Sequence, residues 1–291
     1  MPYAKAKDGT KLFYKDWGRG DPIVLLHGWP LTGDTFDDAA VRLAEAGHRC
    51  ILPDRRGFGR SDQPWDGYDY DTFADDIAAI LEDADIAEPV SLVGFSMGGG
   101  EVARFLTKQG KNRVTKAVLI SSVVPYMPKT DDNPNGVPQS TFDQMTESME
   151  KDREHFFKGF FHDFFGTGFI SQPVSNEVEM NAWRQTMMAG LRPTLAAAQA
   201  FATTDFRPDL KSFDGVPTLV IHGTSDNTVP IDATGRVVAE QVPGAQLIEY
   251  SGSAHGLFAT DKERLIDDLL EFLGRGSGET SRRAIPLSET A

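Results

Sequence analysis

Short, nearly continuous apolar runs recur along the chain, each closing on a polar or glycine-rich segment. Pro22 to Leu26 ends at His27-Gly28-Trp29-Pro30, and Arg49 to Pro53 ends at Asp54-Arg55-Arg56-Gly57-Phe58-Gly59-Arg60-Ser61. Val90 to Val93 leads into Gly94-Phe95-Ser96-Met97-Gly98, and Val114 to Ile120 closes at Ser121-Ser122. Pro217 to His222 and Gln246 to Tyr250 complete the set. Between several of these runs the apolar period lengthens to that of a helix. Phe73, Ile77, Ile80, Leu81 and Ala84 share one face over 71–85, and Val102, Phe105 and Leu106 share one before a stop at Gly110. Further helices are predicted from Asp232 and over 261–273. Continuous apolar strands alternating with amphipathic helices predict a mostly parallel, doubly wound α/β sheet covered on both faces. Ligands of such sheets bind beyond the carboxyl ends of the strands, where the polar segments lie. At the N-terminus, two runs flanking Asp8-Gly9 predict a hairpin with a two-residue type I′ turn.

The pattern breaks between Val124 and about Asp209. A Pro/Asn/Gly-rich stretch gives way to helical sequence dense in aromatics: Phe156, Phe157, Phe160, Phe161, Phe164, Phe165 and Phe169. An insertion between two sheet strands predicts a helical cap over 124–210, with the core formed by 1–123 and 211–274. Most cap aromatics are expected to pack the helices together and a few to line an apolar pocket. Residues 275–291 are polar, without periodicity, and predict a disordered tail.

Composition narrows the field. The net charge of −14 argues against nucleic acid or an anionic membrane as partner. No apolar run approaches the ~20 residues of a membrane span, and no signal peptide is visible at the start. The single cysteine, Cys50, sits in an apolar run and is expected to be buried. A cytoplasmic protein fits these features. No metal-ligand cluster, P-loop or dinucleotide fingerprint is present, so no cofactor is expected.

Gly94-x-Ser96-x-Gly98, between strand and helix, has the form of a nucleophile elbow. The tight turn strains the central residue, crowds its flanks so that glycine is needed there, and lifts the Ser96 hydroxyl toward a helix N-terminus. A serine hydroxyl needs a base and the base needs a carboxylate. On this architecture their chain order is serine, acid, histidine. Asp226 follows the penultimate strand and His255 the last. His48, His155 and His162 lie on or beside helices, His222 ends a strand and is expected to be buried, and His27 is more readily a turn residue. Asp54 would give the wrong order, Asp205 and Asp209 edge the cap, and Asp232 begins a helix. The Met97 N–H and the Trp29 N–H are the candidate oxyanion donors.

Together these stretches, with Thr204-Asp205-Phe206 and His255-Gly256, resemble the α/β-hydrolase superfamily over residues 1 to 274. More closely, they resemble its cofactor-free haloperoxidase (perhydrolase) and arylesterase members. The resemblance implies Ser96, Asp226 and His255 as catalytic residues, and Trp29 and Met97 as the oxyanion hole. It implies hydrolysis of small carboxylic or aryl esters, with a side activity in which hydrogen peroxide takes the place of water. Pro30 is the residue associated with perhydrolase-named members. A substrate pocket is expected at Pro30, Tyr126, Phe201, Thr228, Val229 and Phe258. Asn227-Thr228 replaces bulkier residues usual there, which implies a wider pocket. Homo-oligomers are implied too. A lactonase or carbon–carbon bond hydrolase of the same fold, and a slow-turnover small-molecule receptor, stand as alternatives.

Overall fold

The computed structural model describes residues 2–168 and 171–277. Its strands are β1 (Tyr3–Lys5), β2 (Lys11–Gly18), β3 (Asp21–Leu26), β4 (His48–Pro53), β5 (Val90–Phe95), β6 (Val114–Ile120), β7 (Thr218–Gly223) and β8 (Gln246–Tyr250). They form one sheet in the order β1-β2-β4-β3-β5-β6-β7-β8. Pairing is antiparallel for β1–β2 and β2–β4 and parallel from β4 to β8. Every residue of β5 and β7 is buried, as strands covered on both faces require.

The helices are α1 (Asp37–Glu45), α2 (Tyr70–Asp83), α3 (Met97–Gln109), α4 (Gln139–Phe164), α5 (Asn176–Met187), α6 (Leu191–Thr203), α7 (Gly235–Gln241), α8 (Leu257–Thr260) and α9 (Lys262–Leu273). Packing pairs α2 with α3 and α1 with α9. Helices α4 to α6 all lie between β6 and β7, and α4 packs on both others. Asp152 interrupts α4 with non-helical φ −162° and ψ 85°. Its carboxylate accepts the His155 N–H at 2.9 Å, so Asp152 acts as an N-cap and starts a second helix at an angle to the first. Among the described residues no helix is long and apolar enough to cross a membrane.

Two expectations need correction. The first hairpin does not use a two-residue type I′ turn. Strand pairing stops at Lys5↔Lys11, the Gly9 N–H donates to the Ala6 carbonyl, and only Gly9 of the Asp8-Gly9 pair has positive φ, at 92°. A type I′ turn needs positive φ at both central residues. The expected tail at 275–291 begins as attached chain. Gly276 N–H donates to the Ala46 carbonyl at 3.1 Å and Ser277 Oγ to Asp21 Oδ1 at 2.5 Å. Residues 278–291 lie outside the described residues, as does Phe169.

Candidate active site

Ser96 lies between the end of β5 and the start of α3 with φ 52° and ψ −116°, in a region that side-chain-bearing residues rarely occupy. Its neighbours explain how the chain tolerates this. A Cβ on Gly94 would lie 2.4 Å from the Gly98 carbonyl oxygen, and one on Gly98 would lie 2.2 Å from that of Leu26. Glycine at both positions lets the turn close against β3. The close approach is to backbone, not to the flanking side chains that the motif alone suggested. The Ser96 N–H is tied to the Ile120 carbonyl at 2.8 Å and its carbonyl accepts from Val123 N–H at 3.3 Å, which fixes the elbow to the end of β6.

The loop after β3 lies against the elbow. A Cβ on Gly28 would come within 2.7 Å of the Phe95 ring and 3.0 Å of Ser96 Cβ. The Gly28 carbonyl oxygen accepts from His27 Nδ1 at 2.9 Å and from Leu31 N–H at 3.0 Å. That carbonyl and the Trp29 N–H belong to one planar trans peptide, so holding the oxygen aims the N–H the opposite way. Among the described residues neither the Trp29 N–H nor the Met97 N–H donates to a protein acceptor.

His27 itself is held from outside the site. Its Nε2 accepts the Arg55 N–H at 3.0 Å, and Arg55 Nη2 donates to the His27 carbonyl at 2.6 Å. The Arg55 guanidinium also makes a bidentate ion pair with Glu101 on α3 (2.7 and 2.6 Å), with both side chains buried. Burial, reinforced by the Arg55 charge, holds the His27 pKa well below that of a free imidazole. His27 is therefore a neutral turn residue with a fixed tautomer. Arg55 and Glu101 were missed in the sequence. A buried ion pair between a loop and a helix leaves no periodic signal.

Asp226 and His255 are brought together from the loops after β7 and β8. Asp226 Oδ2 accepts from His255 Nδ1 at 2.6 Å, and Oδ1 accepts the N–H groups of Thr228 (3.0 Å) and Val229 (2.8 Å). Burial pushes the Asp226 carboxyl up, but the His255 charge and the hydrogen bonds of His222 and His255 outweigh it. Its pKa lies well below the usual carboxylate range. The His255 ring is wedged between Phe95 (ring centroids 5.0 Å apart) and Phe164 (4.8 Å), and its Nε2 is buried without a hydrogen-bond partner. Among the described residues no hydrogen bond joins it to Ser96 Oγ. Both residues line one cavity.

That cavity has a volume of about 700 Å³. Trp29, Phe201, Thr228 and Val229 are on its wall, and α4 adds Thr141, Met145 and Ser148 before the kink and Phe156 and Phe160 after it. Three expected pocket residues are elsewhere. Pro30 is buried away from the cavity, Tyr126 lies beneath the Arg207 guanidinium (4.5 Å), and Phe258 packs on Phe95, Phe164 and Phe165 behind His255. The cavity is mainly apolar, as expected, with Phe156, Phe160 and Phe201 on its walls, and Thr141, Gln144, Ser148, Thr167 and Asn227 add polar positions to the lining. The i, i+4, i+7 spacing of Thr141, Met145 and Ser148 could have marked that wall, but its polar members read as a solvent face. Among the described residues no three His, Cys, Asp or Glu side chains gather as metal ligands.

A family model described as the alpha/beta hydrolase fold matches residues 21–262. A non-heme chloroperoxidase of Kitasatospora aureofaciens is 45% identical over 277 residues, covering 94% of this chain and 100% of its own. A bifunctional esterase/perhydrolase of Acinetobacter calcoaceticus is 42% identical, covering 94% and 99%. Among solved structures, a bromoperoxidase from Bacillus anthracis superposes with a TM-score of 0.89 at 41% identity, over 94% of this chain and 99% of that one.

Proposed function

The chain belongs to the α/β-hydrolase fold family, beside its non-heme haloperoxidases and esterase/perhydrolases, and from that premise we propose how its residues carry out ester hydrolysis and perhydrolysis. Ser96 Oγ attacks the carbonyl carbon of a small carboxylic or aryl ester while His255 Nε2 takes its proton. Asp226 accepts the His255 Nδ1–H, which keeps Nε2 bare for that step. The N–H groups of Trp29 and Met97 receive the oxyanion, and one such donor is worth on the order of 10²–10³ in rate. Collapse expels the alcohol, protonated by His255, and leaves an acyl-Ser96. Water then releases the acid, or hydrogen peroxide releases the peracid, with His255 again the base. Residues 124–210 act as the cap that shapes the acyl and alcohol subsites.

The observation that carries this reading is the buried 2.6 Å Asp226–His255 contact, opening onto the same cavity as the strained Ser96. The test is Ser96→Ala, assayed with a short aryl acetate and with peroxide-dependent peracid formation. Both activities should fall together by roughly 10⁴-fold or more while the fold persists. Retention of either one removes Ser96 from that reaction.

A further inference from the structure

Asp226 is flanked by a second imidazole that the Ser–His–Asp relay does not use. His222, the penultimate residue of β7, is completely buried, and its Nε2 lies 2.9 Å from the Val229 carbonyl oxygen and 3.3 Å from Asp226 Oδ2. Both neighbours are acceptors, so Nε2 carries the proton, and it points at Val229 with the carboxylate off to one side. Val229 in turn gives its own N–H to Asp226 Oδ1 at 2.8 Å and lines the cavity. On the far side of the ring Gly235 of α7 fills the space: a Cβ there would be 2.7 Å from Nδ1. Ring position, tautomer and contact with the acid loop are all fixed.

From this geometry we propose that His222 is a positioning residue, bracing the loop that carries Asp226 and sharing the carboxylate oxygen that faces His255. The proposal rests on Asp226 being the relay's acid. With His222 in place, part of the negative charge on Oδ2 is already balanced, which limits how strongly Asp226 favours a protonated His255. Without it, His255 becomes more basic and the carboxylate less well held.

The groups facing His222 are few. Asp226 and His255 lie on the two site loops. Glu249, its register partner on β8, is held by Arg236 at 2.8 Å, and Arg236 also pairs with Asp232 at 2.6 Å. Gly235 on α7 carries no charge. The two His222 variants below leave all of these in place.

The experiment compares the native enzyme with His222→Leu, His222→Gln and Asp226→Asn, using kcat/KM and kcat for a short aryl acetate across pH. Rates are normalised to active sites by acyl burst, so that misfolded protein is not counted. In His222→Leu the acid limb should move to higher pH by roughly half a unit or more, and kcat should fall about tenfold, the equivalent of one lost hydrogen bond. In His222→Gln, whose side-chain amide N–H can reach the same acceptors, most of both effects should be restored. If His222→Leu does not fold, Gly235→Ala displaces the same ring without removing it and should move the acid limb in the same direction. An unchanged profile and normalised kcat in the variant that folds overturn the proposal and leave His222 a packing residue. Activity retained in Asp226→Asn would instead overturn the relay assignment on which it rests.

Discussion

Ser96 is held at a backbone conformation that costs about 1–3 kcal/mol in an unconstrained chain. What holds it is close packing of main chain on main chain, and Gly98 is the tightest point. Gly98→Ala should destabilise the protein by about 3 kcal/mol or more in urea melts, because its Cβ can be accommodated only by separating α3 from the end of β3. Cys50 illustrates the opposite case. Burial pushes its thiol up to about 12, and its sulfur donates to the Ala40 carbonyl at 3.6 Å. Iodoacetamide at pH 8 should label it at the rate of global unfolding and no faster, as followed by mass spectrometry.

Elements meet at the site through side chains that do no chemistry themselves. Arg55, from the loop after β4, reaches both the loop after β3 and helix α3 through His27 and Glu101. Removing one member strands the other charge in a dry interior. Glu101→Leu should therefore cost about 3–5 kcal/mol by urea denaturation, and the double variant Arg55→Met/Glu101→Leu should recover most of that loss. The helices after β6 obey a different logic. Kinking α4 at Asp152 turns two helix faces of mixed polarity toward one cavity. Thr141 and Ser148, polar members of its wall, read in the sequence as solvent-facing positions. The break in pattern after β6 was legible in the sequence while the cavity lining was not.

For the molecule as a whole, the parallel sheet, the chain order of Ser96, Asp226 and His255, and the family were all readable from strand ends and their motifs. Position along a strand is set locally, so residues at carboxyl ends can be placed without knowing the rest. Pro30, Tyr126 and Phe258 could not be placed that way, because which side of a loop a ring occupies depends on what packs against it. One global property follows from the site. Asp226 titrates well below the unfolded carboxylate, so it adds stability at pH values above about 4, and that contribution is lost as pH falls through its folded pKa. The stability gap between the native protein and Asp226→Asn should be widest near pH 7 and narrow below pH ~4. Equilibrium urea melts at several pH values would measure it.

The indole of Trp29 reaches across to α6, where its Nε1–H donates to the Thr194 carbonyl at 3.0 Å, while its ring forms part of the cavity wall. On the proposed mechanism, cavity shape and oxyanion stabilisation are thereby joined in one residue. Any refitting of α6 to admit a different ester tugs on the peptide that would stabilise the developing charge. Engineering this enzyme for new substrates will go furthest from the first half of α4, at Thr141, Met145 and Ser148, because Phe157 and Phe160 after the kink pack on the Trp29 ring itself.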